Sequence, residues 1–236
     1  MPFEPTPMLP GDAFEAALRF GQDVEQDLAR LTGPAARAAC LARHWTAVLD
    51  LGWAGTLVPE EHGGAGGTLV DLAALAEGAG RSALPLPLAA ACAVAPTLLA
   101  GQDGLLADLA AGRLQPCVAL TGDIAAETGR LTGRALGLET PPAPTHALIA
   151  ASDSLFLVPM DAPGIGLARH ERIDGRLTHD LELQGAPATL LAEDPGALTA
   201  RARQGSALML APVVLLAAGA IGPVLPVPGR RGSVLT

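Results

Sequence analysis

The chain has 236 residues, half of them hydrophobic and 17% charged, which excludes a disordered polymer and leaves room for one large domain or two small ones. Its formal charge is −9 and every basic residue but histidine is arginine, with no basic stripe; this excludes nucleic acid and anionic lipid as expected partners. Three scattered cysteines, Cys40, Cys92 and Cys117, make neither a CxxC pair nor a disulfide framework, and the amino terminus lacks a signal-peptide pattern, so a cytoplasmic setting is expected.

Helical periodicity runs from Pro10 to about Gly112. A first helix opens at Gly11 or Asp12 and reaches Leu31, with Phe14, Leu18, Val24 and Leu28 near helical spacing. Thr32-Gly33-Pro34 breaks it, because proline suits a helix's first turn and not its interior. A second helix covers about Ala35 to Leu51. The glycine-dense stretch from Gly52 to Gly67 marks turns that need positive φ or close backbone approach. A third helix starts near Thr68, capped by Thr68 or Asp71, and ends about Gly80. Beyond Pro85-Leu86-Pro87 another apolar helix runs towards Leu99, and a short one spans about Leu105 to Ala111.

The texture changes at Gly112. Cys117–Leu120, Ala147–Ala151, Leu155–Val158 and Leu181–Leu183 are short apolar runs separated by turn residues, which predicts a small β domain. Helical character returns from Pro195 to Gly222. The predicted fold is α+β: a helical domain over 1–112, a β-barrel-like middle domain over 113–194, one helix over 195–222 and an irregular tail over 223–236.

Leu51-Gly52-Trp53-Ala54-Gly55-Thr56-Leu57-Val58-Pro59-Glu60-Glu61-His62-Gly63-Gly64-Ala65-Gly66 is very similar to the leucine-glycine, valine-proline-glutamate, glycine-glycine turn of acyl-CoA dehydrogenases. Glu77-Gly78-Ala79-Gly80-Arg81-Ser82 fits that family's next helix, and Val158-Pro159-Met160-Asp161-Ala162-Pro163-Gly164-Ile165 resembles a strand and turn of its middle domain. The resemblance spans about Phe14 to Gly222 and implies an oligomeric FAD oxidoreductase of fatty-acid and lipid metabolism. In that family the flavin accepts a hydride from the β-carbon of an acyl-CoA thioester while a carboxylate removes the α-proton.

Departures from the family pattern fall on the flavin contacts. Leu120-Thr121 matches the start of the threonine-glutamate-proline turn, but Gly122-Asp123 follows. Thr121 is thereby the one cofactor-binding position the resemblance retains, set against an ordinary strand-end threonine. In the glycine-x-lysine-x-tryptophan-isoleucine-threonine strand, aligning on Gly133 puts Ala135 at the lysine, Gly137 at the tryptophan and Glu139 at the threonine. A ring contact and a hydroxyl are both lost, and a carboxylate beside reduced flavin is unfavourable, which weakens flavin binding by this chain alone. After Gly222, Pro223, Pro226 and Pro228 cannot continue a helix, and the bundle with its catalytic glutamate is expected to be absent. A truncated gene, a shifted frame and a short paralogue each account for that ending.

Glu60 and Glu61 stand side by side on a turn, where two carboxylates do not converge on one atom. His44, His62, His146, His170 and His179 have no HxxxH or HExxH spacing, so no metal site is expected. The uncharged run Ser206–Leu225 has the length of a bilayer span but carries Pro212 and no aromatic belt, so a buried helix is preferred over a membrane anchor. The favoured expectation is an acyl-CoA dehydrogenase-family chain, inactive alone or the degenerate partner of a homologous dehydrogenase subunit, with FAD and acyl-CoA as implied ligands. The alternative is a non-enzymatic acyl-CoA-binding scaffold. Whether the chain is itself an enzyme stays open at this level.

Overall fold

The computed structural model describes residues 7–172 and 176–221. The expected tail over 223–236, with Gly222, lies outside the described residues.

Helix α1 (Asp12–Ala29) buries Phe14, Ala17, Gly21, Val24 and Leu28, one stripe at alternating spacings of three and four. Helix α2 (Pro34–Asp50) begins with proline, whose missing N–H costs nothing at that position, and buries Cys40, Leu41, Trp45 and Val48. Helix α3 (Leu69–Arg81) is buried on every side from Leu72 to Ala79, which its run of small and apolar residues permits. Thr68 and Asp71 form a reciprocal capping box at its start. The apolar segment after Pro87 is a π-helical turn, Ala89–Val94, that passes into helix α4 (Ala95–Leu98); helix α5 (Asp103–Ala110) follows.

The glycine-rich stretch wraps two short 3₁₀ turns, Trp53–Gly55 and Glu60–His62, back on themselves. The N–H groups of Ala65, Gly66 and Gly67 donate to the carbonyls of Gly55, Val58 and Thr56 at 3.0, 2.9 and 2.8 Å. At Gly64 a Cβ would lie 2.1 Å from the Val58 carbonyl oxygen, so only glycine lets the two backbones approach this closely.

Eight strands follow: β1 (Pro116–Ala119), β2 (Asp123–Glu127), β3 (Arg130–Glu139), β4 (His146–Ala151), β5 (Ser154–Pro159), β6 (Ile165–Glu171), β7 (Leu177–Pro187) and β8 (Thr189–Glu193). They form two four-stranded sheets, ordered β1-β4-β5-β8 and β2-β3-β7-β6. The pair β1/β4 is parallel and the other pairs are antiparallel. Alternate residues of both sheets, among them Ala119, Leu131, Ile149, Phe156, Leu181 and Leu183, enclose one core. The outer face of the first sheet is also covered: Leu148 and Leu155 join Val58, Leu98, Leu99 and Leu109 in a second cluster shared with the helices. Strand β4 is therefore buried on both faces, which explains its continuous apolar run.

Helix α6 (Gly196–Ile221) closes the described chain. Its Ala202 belongs to the cluster shared with the sheet, and its Met209 belongs to the core among α1, α2 and α3. Among the described residues no helix is long and apolar enough to cross a membrane.

Candidate functional site

Strand β1 ends at Ala119, and Leu120-Thr121-Gly122 bend away to enter β2. The neighbouring parallel strand β4 runs two residues further, since Ala119 is in register with Ile149 and β4 ends at Ala151. Beyond Ala151 the chain turns through Ser152 and Asp153 into β5. Both turn residues have positive φ, 49° and 55°, the pair of values a two-residue hairpin needs to match the strands' twist. Opposite this turn stand Asp194, Pro195 and the first turns of α6. Together they line a cavity of about 260 Å³ whose polar wall is Ser152, Asp153, Ser154, Asp194, Thr199 and Arg203.

Arg203 ties this cavity to the expected cofactor residue. Its Nη2 donates to the Leu120 carbonyl at 3.2 Å, immediately before Thr121, whose residue is exposed. Gly122 seats the bend against β3: a Cβ there would lie 2.9 Å from the Arg134 carbonyl oxygen and 3.1 Å from the Ala135 Cβ. The fold thus brings Thr121, Arg203, the Ser152-Asp153 turn and the middle of β3 into one neighbourhood. Sequence spacing points to Thr121 and β3 only. Arg203 and the hairpin turn are too distant along the chain to be read as companions.

Strand β3 departs from what a flavin needs. Gly137 sits in a bulge with φ 68°, its N–H donates to Asp180 Oδ1 at 2.9 Å, and open space surrounds the place where a side chain would project. Among the described residues no ring packs within 4 Å of that position. Glu139 does not stand as a bare carboxylate: Arg176 Nη1 lies 2.6 Å from its Oε1, and the pair faces Leu41 and Pro85–Pro87 across a gap of about 10 Å³. The carboxylate expected to repel reduced flavin is instead neutralised, at a contact between β3, β7 and the helices. The adjoining Thr140 is buried, with its hydroxyl hydrogen-bonded to His179 Nδ1. At the two β3 positions that align with the family's flavin contacts, Gly137 therefore offers no side chain and the Glu139 carboxylate is engaged by Arg176.

Glu60 and Glu61 are both exposed on their 3₁₀ turn, as two carboxylates without a shared target. The turn borders a larger cleft of about 750 Å³ between α4, α5 and α6, lined by His62, Asp103, Arg201 and Gln204 among others. His62 Nε2 lies 3.6 Å from Glu61 and 3.4 Å from Asp103, but these carboxylates are more than three-quarters exposed, so water screens both pairs. His146, His170 and His179 lie in the sheets and His44 on α2.

Residues 21–105 match the family model described as acyl-CoA dehydrogenase, N-terminal domain. Among curated protein sequences none matches the chain. Several solved structures share the fold. One named "Tcur3481-Tcur3483 steroid ACAD G363A variant" is 24% identical with a TM-score of 0.65, over 90% of this chain and 66% of that one. The "ChsE4-ChsE5 complex from Mycobacterium tuberculosis" is 17% identical with a TM-score of 0.58, over 85% and 61%. An acyl-CoA dehydrogenase from Geobacillus kaustophilus is 15% identical with a TM-score of 0.69, over 96% and 72%. The chain spans less than two thirds of the first two structures' length.

Proposed function

From a chain whose first domain is that of the acyl-CoA dehydrogenase family, and whose helices and paired sheets carry that family's fold, we propose a subunit of an FAD-dependent acyl-CoA dehydrogenase that is inactive alone and works beside a second, homologous chain. The observation that carries this reading is the state of β3, where Gly137 leaves a void and Glu139 is held by Arg176. A flavin needs packing area on its ring and donors for its polar edge, and the side chains at the aligned positions Gly137 and Glu139 supply neither. The names of two similar structures join two chains, which supports a paired assembly.

In such an assembly FAD supplies the hydride-accepting chemistry. This chain's part is narrower. Thr121 would contribute its hydroxyl, from the bend that Arg203, a residue of the cavity wall, holds through the Leu120 carbonyl. A threonine hydroxyl can both donate and accept, and the exposed Thr121, next to the Gly122 that packs on β3, suits the edge of a ligand held mainly by another subunit.

The test is the absorbance spectrum of the purified chain, alone and co-expressed with a homologous dehydrogenase chain. Flavin bands only in the co-purified complex, with acyl-CoA oxidation there and none in the single chain, are the expected result. Bands in the chain alone would overturn the reading of β3. Flavin in neither preparation, with acyl-CoA still bound, would replace the proposal with a binding scaffold. In the complex, Thr121→Val is expected to weaken flavin retention roughly fivefold, the loss of one neutral hydrogen bond.

A further inference from the structure

We propose that Asp27, Cys40 and His44, where α1 crosses α2, form a binding site for a divalent transition-metal ion of the zinc class. One donor atom from each residue lies within 4.8 Å of the other two. Cys40 and His44 are four apart on α2 and so share one face, and Asp27 reaches them from α1, its Oδ2 3.0 Å from His44 Nε2. Thiolate, imidazole and carboxylate are the three donor types that zinc accepts. Donors around one such ion stand about 3.5 Å apart, given bonds of about 2.0–2.3 Å, so the widest separation must close by roughly 1 Å.

Two further observations bear on the site. A positive group already bridges two of the three donors: Arg43 Nη2 lies 3.1 Å from Asp27 Oδ2 and 3.6 Å from Cys40 Sγ. The Arg43 side chain is 66% exposed, so it can swing into solvent and leave its place to another cation. The imidazole is also fixed in attitude, because the Phe20 ring meets it edge-on at 88° with centroids 5.7 Å apart. The neighbouring Arg30, 3.7 Å from Asp27 Oδ1, adds positive charge to the rim and opposes the incoming ion.

Charge and protons balance simply. The thiol proton of Cys40 leaves to solvent, the His44 ring proton that Nε2 donates to Asp27 Oδ2 passes to Nδ1 by way of solvent so that Nε2 is free to bind, and the hydrogen bond between His44 and Asp27 is given up. The ion's two positive charges then meet one thiolate and one carboxylate, and the site is neutral once Arg43 has withdrawn. Three protein donors leave a fourth position for water on the exposed Asp27 side. The sequence does not advertise this set. Cys40-x-x-x-His44 is not one of the paired-histidine spacings, and Asp27 comes from another helix.

The test is a titration of the reduced chain with cobalt(II), followed by the thiolate-to-metal charge-transfer absorbance. Wild type is expected to saturate at one equivalent and to release the ion to zinc. Cys40→Ser is expected to lose the band, and Asp27→Asn to bind at least roughly tenfold more weakly. Arg43→Ala, which removes the competing cation from an exposed position, is expected to bind more tightly. A missing band in wild type, a band that survives Cys40→Ser, or weaker binding by Arg43→Ala would each overturn the proposal. If Cys40→Ser fails to fold, judged by circular dichroism, Asp27→Asn and Arg43→Ala decide.

Discussion

Glu77 has only 1% of its surface exposed, yet it is ionised in place. Burial pushes its carboxyl upward, but the N–H groups of Met8 and Leu9 and the Arg81 guanidinium outweigh burial and hold it below the ordinary range. The carboxylate thereby ties the segment before α1 to the middle of α3. Removing one partner of a buried charged cluster strands the other, so Glu77→Ala is expected to cost about 3 kcal/mol in urea unfolding. Because the folded state depresses this carboxyl, its contribution is full above the unfolded value of about 4.3 and fades as pH falls through the lower folded value. His179 acts at a higher pH. Burial lowers its affinity for protons, Arg169 and His170 lower it further, and Asp180 partly offsets them. The unfolded chain therefore binds a proton that the folded chain refuses, and stability is lost as pH drops below about 6.5. In a pH series of unfolding midpoints, His179→Gln should flatten that upper limb and leave the limb near pH 4 intact. The same residue shows a limit of sequence reading: His179 and Thr140 become partners only because β3 and β7 are in register, which no local spacing reveals.

At the scale of elements, the crossing of α1 and α3 depends on missing side chains. A Cβ on Gly78 would lie 2.3 Å from the Phe14 carbonyl oxygen and 2.9 Å from the Ala17 Cβ. Alanine favours a helix over glycine by about 1 kcal/mol, yet the clash forces the helices apart at about 2–3 kcal/mol, so Gly78→Ala should destabilise on balance. A thermal melt decides the sign. The helices themselves are legible in the sequence because α1 and α2 each bury one stripe and α3 carries a capping box. Strands β1, β4 and β5 are legible as apolar runs. Strands β2, β6 and β8 are not: each borders a sheet, with exposed residues along much of its length, so its sequence is nearly as polar as a loop. The π-helical turn at Ala89–Val94 is equally hidden, since its six small or apolar residues suit an α-helix as well.

The whole molecule is joined by the cluster that holds Leu148 and Leu155 of the sheet together with Leu98, Leu99 and Leu109 of the helices. Trp45 adds a polar link, its Nε1 donating to Gln115 Oε1 at 2.9 Å just before β1. Both tryptophans, Trp45 and Trp53, lie on the helical side. Leu148→Ala, a change in the sheet, is expected to cost about 3 kcal/mol and to shift the tryptophan-fluorescence midpoint together with the far-ultraviolet circular dichroism. A fluorescence midpoint that stays in place would mean that helices and sheets unfold separately. The two textures along the sequence announce two kinds of structure, and the residues that join them are invisible there because each also serves its own element.

The three cysteines divide between these regions: Cys40 and Cys92 lie in the helical core and Cys117 between the sheets, all of them buried and unpaired. Burial pushes the Cys92 and Cys117 thiols up to about 12, so neither reacts while its region is closed. Alkylation under native conditions would therefore count openings of the helical core and of the sheet core separately, in the unaltered protein, and equal rates at Cys92 and Cys117 would mean that the chain breathes as one body.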